Sequence, residues 1–138
     1  MKTNDWTEGY GVITHSDATL ERLGTLLKSA KLGELAVSEA EARDVFAATD
    51  RLANAAMSLV AHMSYARRVD LTGTPLQPED FKPDPQGHVG GSLNVVIAFA
   101  GYLAANPLTG HTRAWILGQG HSVAAIEAIN TLTGDLSP

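Results

Sequence analysis

Arg113-Ala114-Trp115-Ile116-Leu117, then Gly118-Gln119-Gly120-His121, then Ser122 to Thr133: the reading of this stretch decides the fold class. The first five residues form a short, largely apolar run bounded by turn residues, the pattern of a strand buried in a parallel sheet. The glycines turn the chain, and Val123, Ile126, Ile129 and Leu132 recur at helical spacing as the expected inward side of a helix. Together they read as strand, glycine-rich turn and helix, half of a βαβ unit. One strand makes no sheet, so its partners are expected beyond residue 138 or on another chain.

The residues upstream read as helices. Gly91 to Ala105 is expected to be a helix capped by Ser92 and stopped by Asn106-Pro107. Its Leu93, Val95, Val96, Ile97, Phe99 and Leu103 cover most of the circumference, which implies neighbours on several sides. Before it, Val69 to Gly87 carries Gly73, Pro75, Pro78, Pro83 and Pro85, too many breakers for a regular element. That segment reads as an extended connection, with Leu76 and Phe81 available to pin it. Ser38-Glu39-Ala40-Glu41 is a capping box, in which the Ser38 hydroxyl accepts from the Glu41 N–H and the Glu41 carboxylate reaches back. A long amphipathic helix follows, to about Arg67, with Arg67 and Arg68 suited to the negative end of its dipole. Asp17 to about Ala30 is a shorter helix with Leu20, Leu23, Leu26 and Leu27 on one face. Residues 1–16 read as a loosely held arm. The organisation expected is an arm and short helix over 1–37 and one domain over 38–138.

Composition narrows the function classes. The 138 residues suit one domain, and the alanine-rich hydrophobic fraction of 44% with only 6% aromatics favours close-packed helices. A net charge of −5, with scattered basic residues, gives no electrostatic reason to expect nucleic acid. The absence of cysteine excludes disulfides and thiolate metal sites. Met1 to Tyr10 has no apolar core of a signal peptide, and Leu93 to Ala105, broken by Asn94, Gly101 and Tyr102, is short for a bilayer span. The expectation is a soluble cytoplasmic protein with neither a membrane nor a nucleic-acid partner.

Two motifs carry the chemistry. Gly87-His88-Val89-Gly90 and Gly118-Gln119-Gly120-His121 each place a histidine beside glycines just before a helix. Unpaired N–H groups at a helix start attract anions, and glycine lets a ligand approach the backbone. Histidine donates, accepts or carries a proton near neutral pH. The alternative is plain: such a glycine turn is a common way to redirect a chain, and a turn histidine is often merely solvated. No metal site is expected, because His88, His111 and His121 lack helical pairing and a clear carboxylate partner. His15 and His62 read as surface or helix-packing residues.

Gly87-His88-Val89-Gly90-Gly91-Ser92 resembles the Gly-His-x-Gly segment of the thiamine diphosphate-dependent transketolases and phosphoketolases, and Leu117-Gly118-Gln119-Gly120-His121 resembles their second segment. Leu132-Thr133-Gly134-Asp135-Leu136-Ser137 looks like the stretch after the following helix. The run Pro75-Leu76-Gln77-Pro78-Glu79-Asp80-Phe81-Lys82 is similar to the Pro-Leu-x-Pro-Glu-x-x-Lys approach of phosphoketolases, which tips the resemblance toward them. The resemblance spans roughly residues 45–138. The resemblance implies an α/β fold: the N-terminal part of a thiamine diphosphate-binding parallel-sheet domain, mostly helical here with about one strand (113–117). It implies an aldehyde-lyase of carbohydrate metabolism that cleaves xylulose 5-phosphate or fructose 6-phosphate, with transketolase-type ketol transfer as the alternative. His88 and His121 would be catalytic, moving protons and holding the sugar hydroxyls, while Gly90, Gly91, Gly118 and Gly120 would bind the cofactor.

Three positions depart from the pattern. Val89 stands where phosphoketolases commonly carry tryptophan and transketolases proline. Gly91 replaces a threonine or alanine that touches the cofactor, and Gln119 replaces a proline or asparagine. A divergent branch with an altered substrate is implied. The family also needs a Gly-Asp-Gly motif with a downstream asparagine for Mg²⁺, which Gly134-Asp135-Leu136 does not supply. The expectation is therefore the N-terminal portion of a homodimeric enzyme, inactive alone, or a non-catalytic fragment or split subunit that needs a partner chain.

Overall fold

The computed structural model describes residues 6–68, 72, 74–114, 116–118 and 120–134. They form four α-helices: α1 (Asp17–Lys31), α2 (Glu39–Tyr65), α3 (Val89–Thr109) and α4 (Val123–Thr133). Single 3₁₀ turns occupy Trp6–Glu8, Pro78–Asp80 and Gly120–Ser122. The chain divides into two compact units, Met1–Asn54 with Ala100–Trp115, and Ala55–Phe99 with Ile116–Pro138.

The parallel-sheet expectation is overturned. Among the described residues there is no strand, and pairing is limited to isolated bridges between Tyr10 and Ile13 and between Ala66 and Phe81. The run read as a strand is irregular at Arg113, Ala114, Ile116 and Leu117; its Trp115 and the following Gln119 lie outside the described residues. A strand needs a lateral partner for its backbone groups. Here the Arg113 N–H donates to Asn106 Oδ1 at 3.3 Å and the Ala114 carbonyl accepts from the Tyr102 hydroxyl at 2.6 Å. Ile116 is 97% exposed, so an apolar run of this kind did not mark burial.

In the first unit, side chains of ordinary size make the core. Leu27 and Ala30 of α1 pack with Ala42 and Phe46 of α2 and Leu108 of α3, with Leu23, Leu35 and Val45 against them. Helix α1 starts at Asp17 as expected, with Ser16 as its cap accepting from the Thr19 N–H at 3.3 Å. The capping box of α2 forms: Ser38 Oγ accepts from the Glu41 N–H at 3.3 Å, and the Glu41 carboxylate accepts from the Ser38 N–H at 2.8 Å. Residues 6–16 are held rather than loose. Trp6 lies edge-on to Phe46, with ring centroids 5.7 Å apart and the Arg43 guanidinium 5.7 Å from the indole. The Val12 N–H donates to Asn54 Oδ1 at 3.0 Å, and His15 Nε2 meets Asp50 Oδ2 at 2.9 Å.

Helix α3 runs past Asn106-Pro107 to Thr109, against the expected stop. Proline removes one backbone donor, the one that would serve the Leu103 carbonyl, a small loss so near the end; the last turn is closed by side chains, with Thr109 Oγ1 donating to the Ala105 carbonyl at 2.7 Å and Arg113 Nη1 to the same oxygen at 3.3 Å. Gly110 then turns the chain with φ of 69°, and a side chain there would stand 3.0 Å from the Ala36 Cβ. By length and composition alone α3 would suffice to cross a membrane. Its burial is one-sided, not all round: Ser92, Val96, Phe99 and Ala100 are buried while Ile97 is 47% exposed.

The second unit draws its buried residues from three helices: Ala56, Leu59 and Val60 of α2, Val96 and Phe99 of α3, and Ala125, Ala128 and Ile129 of α4. The inward face of α4 is thus rotated from the expected one, since Val123 and Leu132 are exposed. The connection before α3 is tied to the end of α2 through backbone. The Arg67 N–H donates to the Asp80 carbonyl at 2.7 Å, the Lys82 N–H to the Tyr65 carbonyl at 2.8 Å, and Lys82 Nζ to the Met63 carbonyl at 2.7 Å. Arg68 grips the Asp80 carboxylate with two nitrogens at 2.9 and 3.1 Å. Phe81, expected as an apolar pin, is instead largely exposed.

Candidate functional site

The end of that connection delivers Gly87-His88 to the amino end of α3. The His88 carbonyl accepts the Ser92 N–H at 3.0 Å, so the helix begins at Val89, earlier than the sequence suggested. Ser92 is consequently no cap. It lies one turn in, 2% exposed, and its hydroxyl donates to the His121 carbonyl at 3.0 Å. This bond ties the first motif to the second, which enters α4 through the 3₁₀ turn Gly120–Ser122.

The result is a meeting of the two histidines. Their ring centroids are 4.2 Å apart with planes at 79°, an edge-to-face contact a little closer than the roughly 4.5–7 Å usual for aromatic pairs. They line a cavity of 510 Å³, the size of a small-molecule site, in the second unit. Met63, Ser64, Gln86, Gly87, Ser92, Gly120 and Ala124 complete the lining. Both histidines are exposed, so their ring nitrogens are open to a guest.

The other expected site residues are placed less centrally. Gly120 lines the cavity. Gly90 and Gly91 form the first turn of α3 and Gly118 precedes the second motif; all three are exposed, with no atom within 4 Å of the place a Cβ would take. His111 is exposed, and its carbonyl accepts from Arg113. Asp135, Leu136 and Ser137 of the closing resemblance lie outside the described residues.

Mg²⁺ does not fit these residues. The ion takes oxygen ligands, carboxylates above all. The cavity wall carries no carboxylate, and no three His, Asp or Glu side chains converge among the described residues. What the wall does offer is hydroxyl, imidazole and glycine backbone, groups that hold the oxygens of an organic ligand.

Sequence reading missed Ser64 and the Ser92 tether. Ser64 looked like one polar residue at the end of an amphipathic helix, and its position on the cavity follows from tertiary placement alone. It also missed the His15–Asp50 pair, whose side chains are each 10% exposed, because 35 residues separate the partners. Comparison with known protein families, curated proteins and solved structures finds no match for this chain.

Proposed function

We propose that the cavity lined by His88 and His121 handles a ketose phosphate, in the thiamine diphosphate-dependent, phosphoketolase-like cleavage that the two Gly-His motifs imply. The observation that supports this reading most is the 4.2 Å approach of two rings carried by separate motifs. Neutral imidazole both donates and accepts, so a facing pair can hold vicinal sugar hydroxyls. Cleavage of the C2–C3 bond of a ketose phosphate converts the C3 hydroxyl to a carbonyl, and its proton must go to a base. A histidine in contact with that hydroxyl is suited to take it. No step is assigned to Mg²⁺, for which the described residues provide no ligands.

Titration of fructose 6-phosphate or xylulose 5-phosphate, with thiamine diphosphate and Mg²⁺ present, tests the reading. The imidazole NMR signals of His88 and His121 are expected to shift, while that of His15 stays. His88→Ala and His121→Ala should each weaken binding roughly tenfold, the scale of one lost hydrogen bond to a charged or polarised ligand. Sugar phosphate that moves neither ring at millimolar concentration would sink the proposal. Where turnover is seen, acyl phosphate formed with inorganic phosphate marks phosphoketolase chemistry, and a ketose formed with an aldose acceptor marks ketol transfer.

A further inference from the structure

The cavity contains a polar group that neither motif accounts for. Ser64 lies in the last turn of α2, 6% exposed, and lines the same cavity as the two histidines. Its hydroxyl has no hydrogen-bond partner among the described residues. The usual escape for a helical serine, back-bonding to the carbonyl four residues earlier, is not taken here, although Thr49, Thr109 and Thr133 each take it. The oxygen is reached by solvent through the cavity, since Trp6 Nε1 is the one sealed side-chain polar atom without a partner among the described residues, and alanine would be the better helix former at this position. The Ser64 hydroxyl therefore faces the cavity with its hydrogen-bonding capacity unused.

Its surroundings specify the guest. The amino end of α3, a helix of 21 residues, borders the same cavity through His88 and brings the positive end of its dipole near it, while Gly90 and Gly91 of its first turn are not part of the wall. No carboxylate and no lysine or arginine lines the wall. Gln86 spends one amide N–H on the Asp84 carboxylate at 3.1 Å and keeps the second. Gly87, with φ of 125°, passes close to the hydroxyl without covering it: a Cβ there would stand 3.7 Å from Ser64 Oγ. A donor-rich, carboxylate-free recess at a helix start suits an oxyanion.

We infer that Ser64 and the amino end of α3 form a phosphoryl subsite, in which the Ser64 hydroxyl donates to a phosphate oxygen of the ligand held by His88 and His121. The inference deepens the ketose phosphate reading and rests on it for the sugar portion alone. The shared chemistry is a phosphoryl dianion, which either a sugar phosphate or free inorganic phosphate brings.

Calorimetric titration of the wild-type chain and of Ser64→Ala with fructose 6-phosphate, inorganic phosphate and unphosphorylated fructose tests it, thermal melts serving to show that the variant is folded. Ser64→Ala is expected to weaken fructose 6-phosphate and inorganic phosphate by roughly tenfold, as for a lost hydrogen bond to a charged group, and to leave fructose unchanged. A serine needed only for packing, or solvated by a trapped water, would leave the preference for the phosphorylated sugar intact. Equal affinity of wild type and Ser64→Ala for both phosphates therefore overturns the inference, and so does the absence of any phosphate binding by the wild type. The two readings fail separately. Loss of fructose 6-phosphate in His88→Ala with none in Ser64→Ala removes the subsite alone. Ser64-dependent binding of inorganic phosphate, without any added affinity for the sugar phosphate, removes the ketose reading and keeps the subsite.

Discussion

The histidines of the two units differ in what they face. His15, in the first unit, is nearly buried, with its Nε2 bonded to the Asp50 carboxylate inside the protein. His88 and His121, in the second, are exposed and touch each other on the wall of a cavity lined by no carboxylate. One residue type thus serves as an internal clasp in one place and as an open pair in the other. The distinction lies in the partners, since all three histidines sit in short irregular segments next to helix starts. Histidines with unspent nitrogens beside a cavity mark the place where a ligand can act.

Asp50→Asn attacks the clasp and carries the largest expected effect. It leaves a nearly buried imidazole with a weaker partner and should destabilise the chain by about 1–3 kcal/mol in urea unfolding, the cost of disturbing a buried hydrogen bond to an ionised group. If the units differ as described, the NMR response of His88 and His121 to fructose 6-phosphate survives in the folded variant. Loss of that response would show that the clasp and the cavity are not separable.

Ser92→Ala attacks the open pair. Removing the hydrogen bond to the His121 carbonyl should cost about 1 kcal/mol of stability. It should also loosen the second motif, so that sugar phosphate binding falls by more than the loss of stability alone explains. A variant that binds as the wild type does would mean that the ring contact does not depend on the tether.

The smallest effect concerns the start of α2. The Ser38 N–H and hydroxyl hold the Glu41 carboxyl below its ordinary value, the backbone hydrogen bond being the larger cause. A carboxyl lowered in the folded state adds stability above its unfolded pKa and loses it as the pH falls through the lowered value. The melting temperature of the wild type should therefore exceed that of Glu41→Gln at neutral pH, and the gap should close in acid. A gap that widens in acid would contradict the capping box. The cavity, which has no part in this box, should bind its ligand equally in both.

Local chemistry made much of this readable. The capping box at Ser38 and Glu41 and the helical spacing from Val45 to Met63 act within a turn or two of chain, and α2 follows both. The breaker-rich connection over 74–87 and the helix after His121 are likewise short-range features. The strand expected at 113–117 was the costly error. An apolar pentapeptide between turns has no preference that its own residues enforce, because a strand exists only through its neighbours. With Ile116 in solvent and Ala114 bonded to Tyr102, no such neighbour is present among the described residues.

The sequence by itself determined where α2 begins and which residues could do chemistry: His88 and His121 are marked by their glycines, and no cysteine or basic patch competes with them. Tertiary structure alone decided that the two rings meet, that Ser92 ties one motif to the other, that Ser64 lines the same cavity, and that His15 is closed off by Asp50. The physical reason is range. Caps and turns are satisfied by atoms a few bonds along the chain, whereas a cavity is made by side chains distant in sequence, whose approach depends on how whole helices pack.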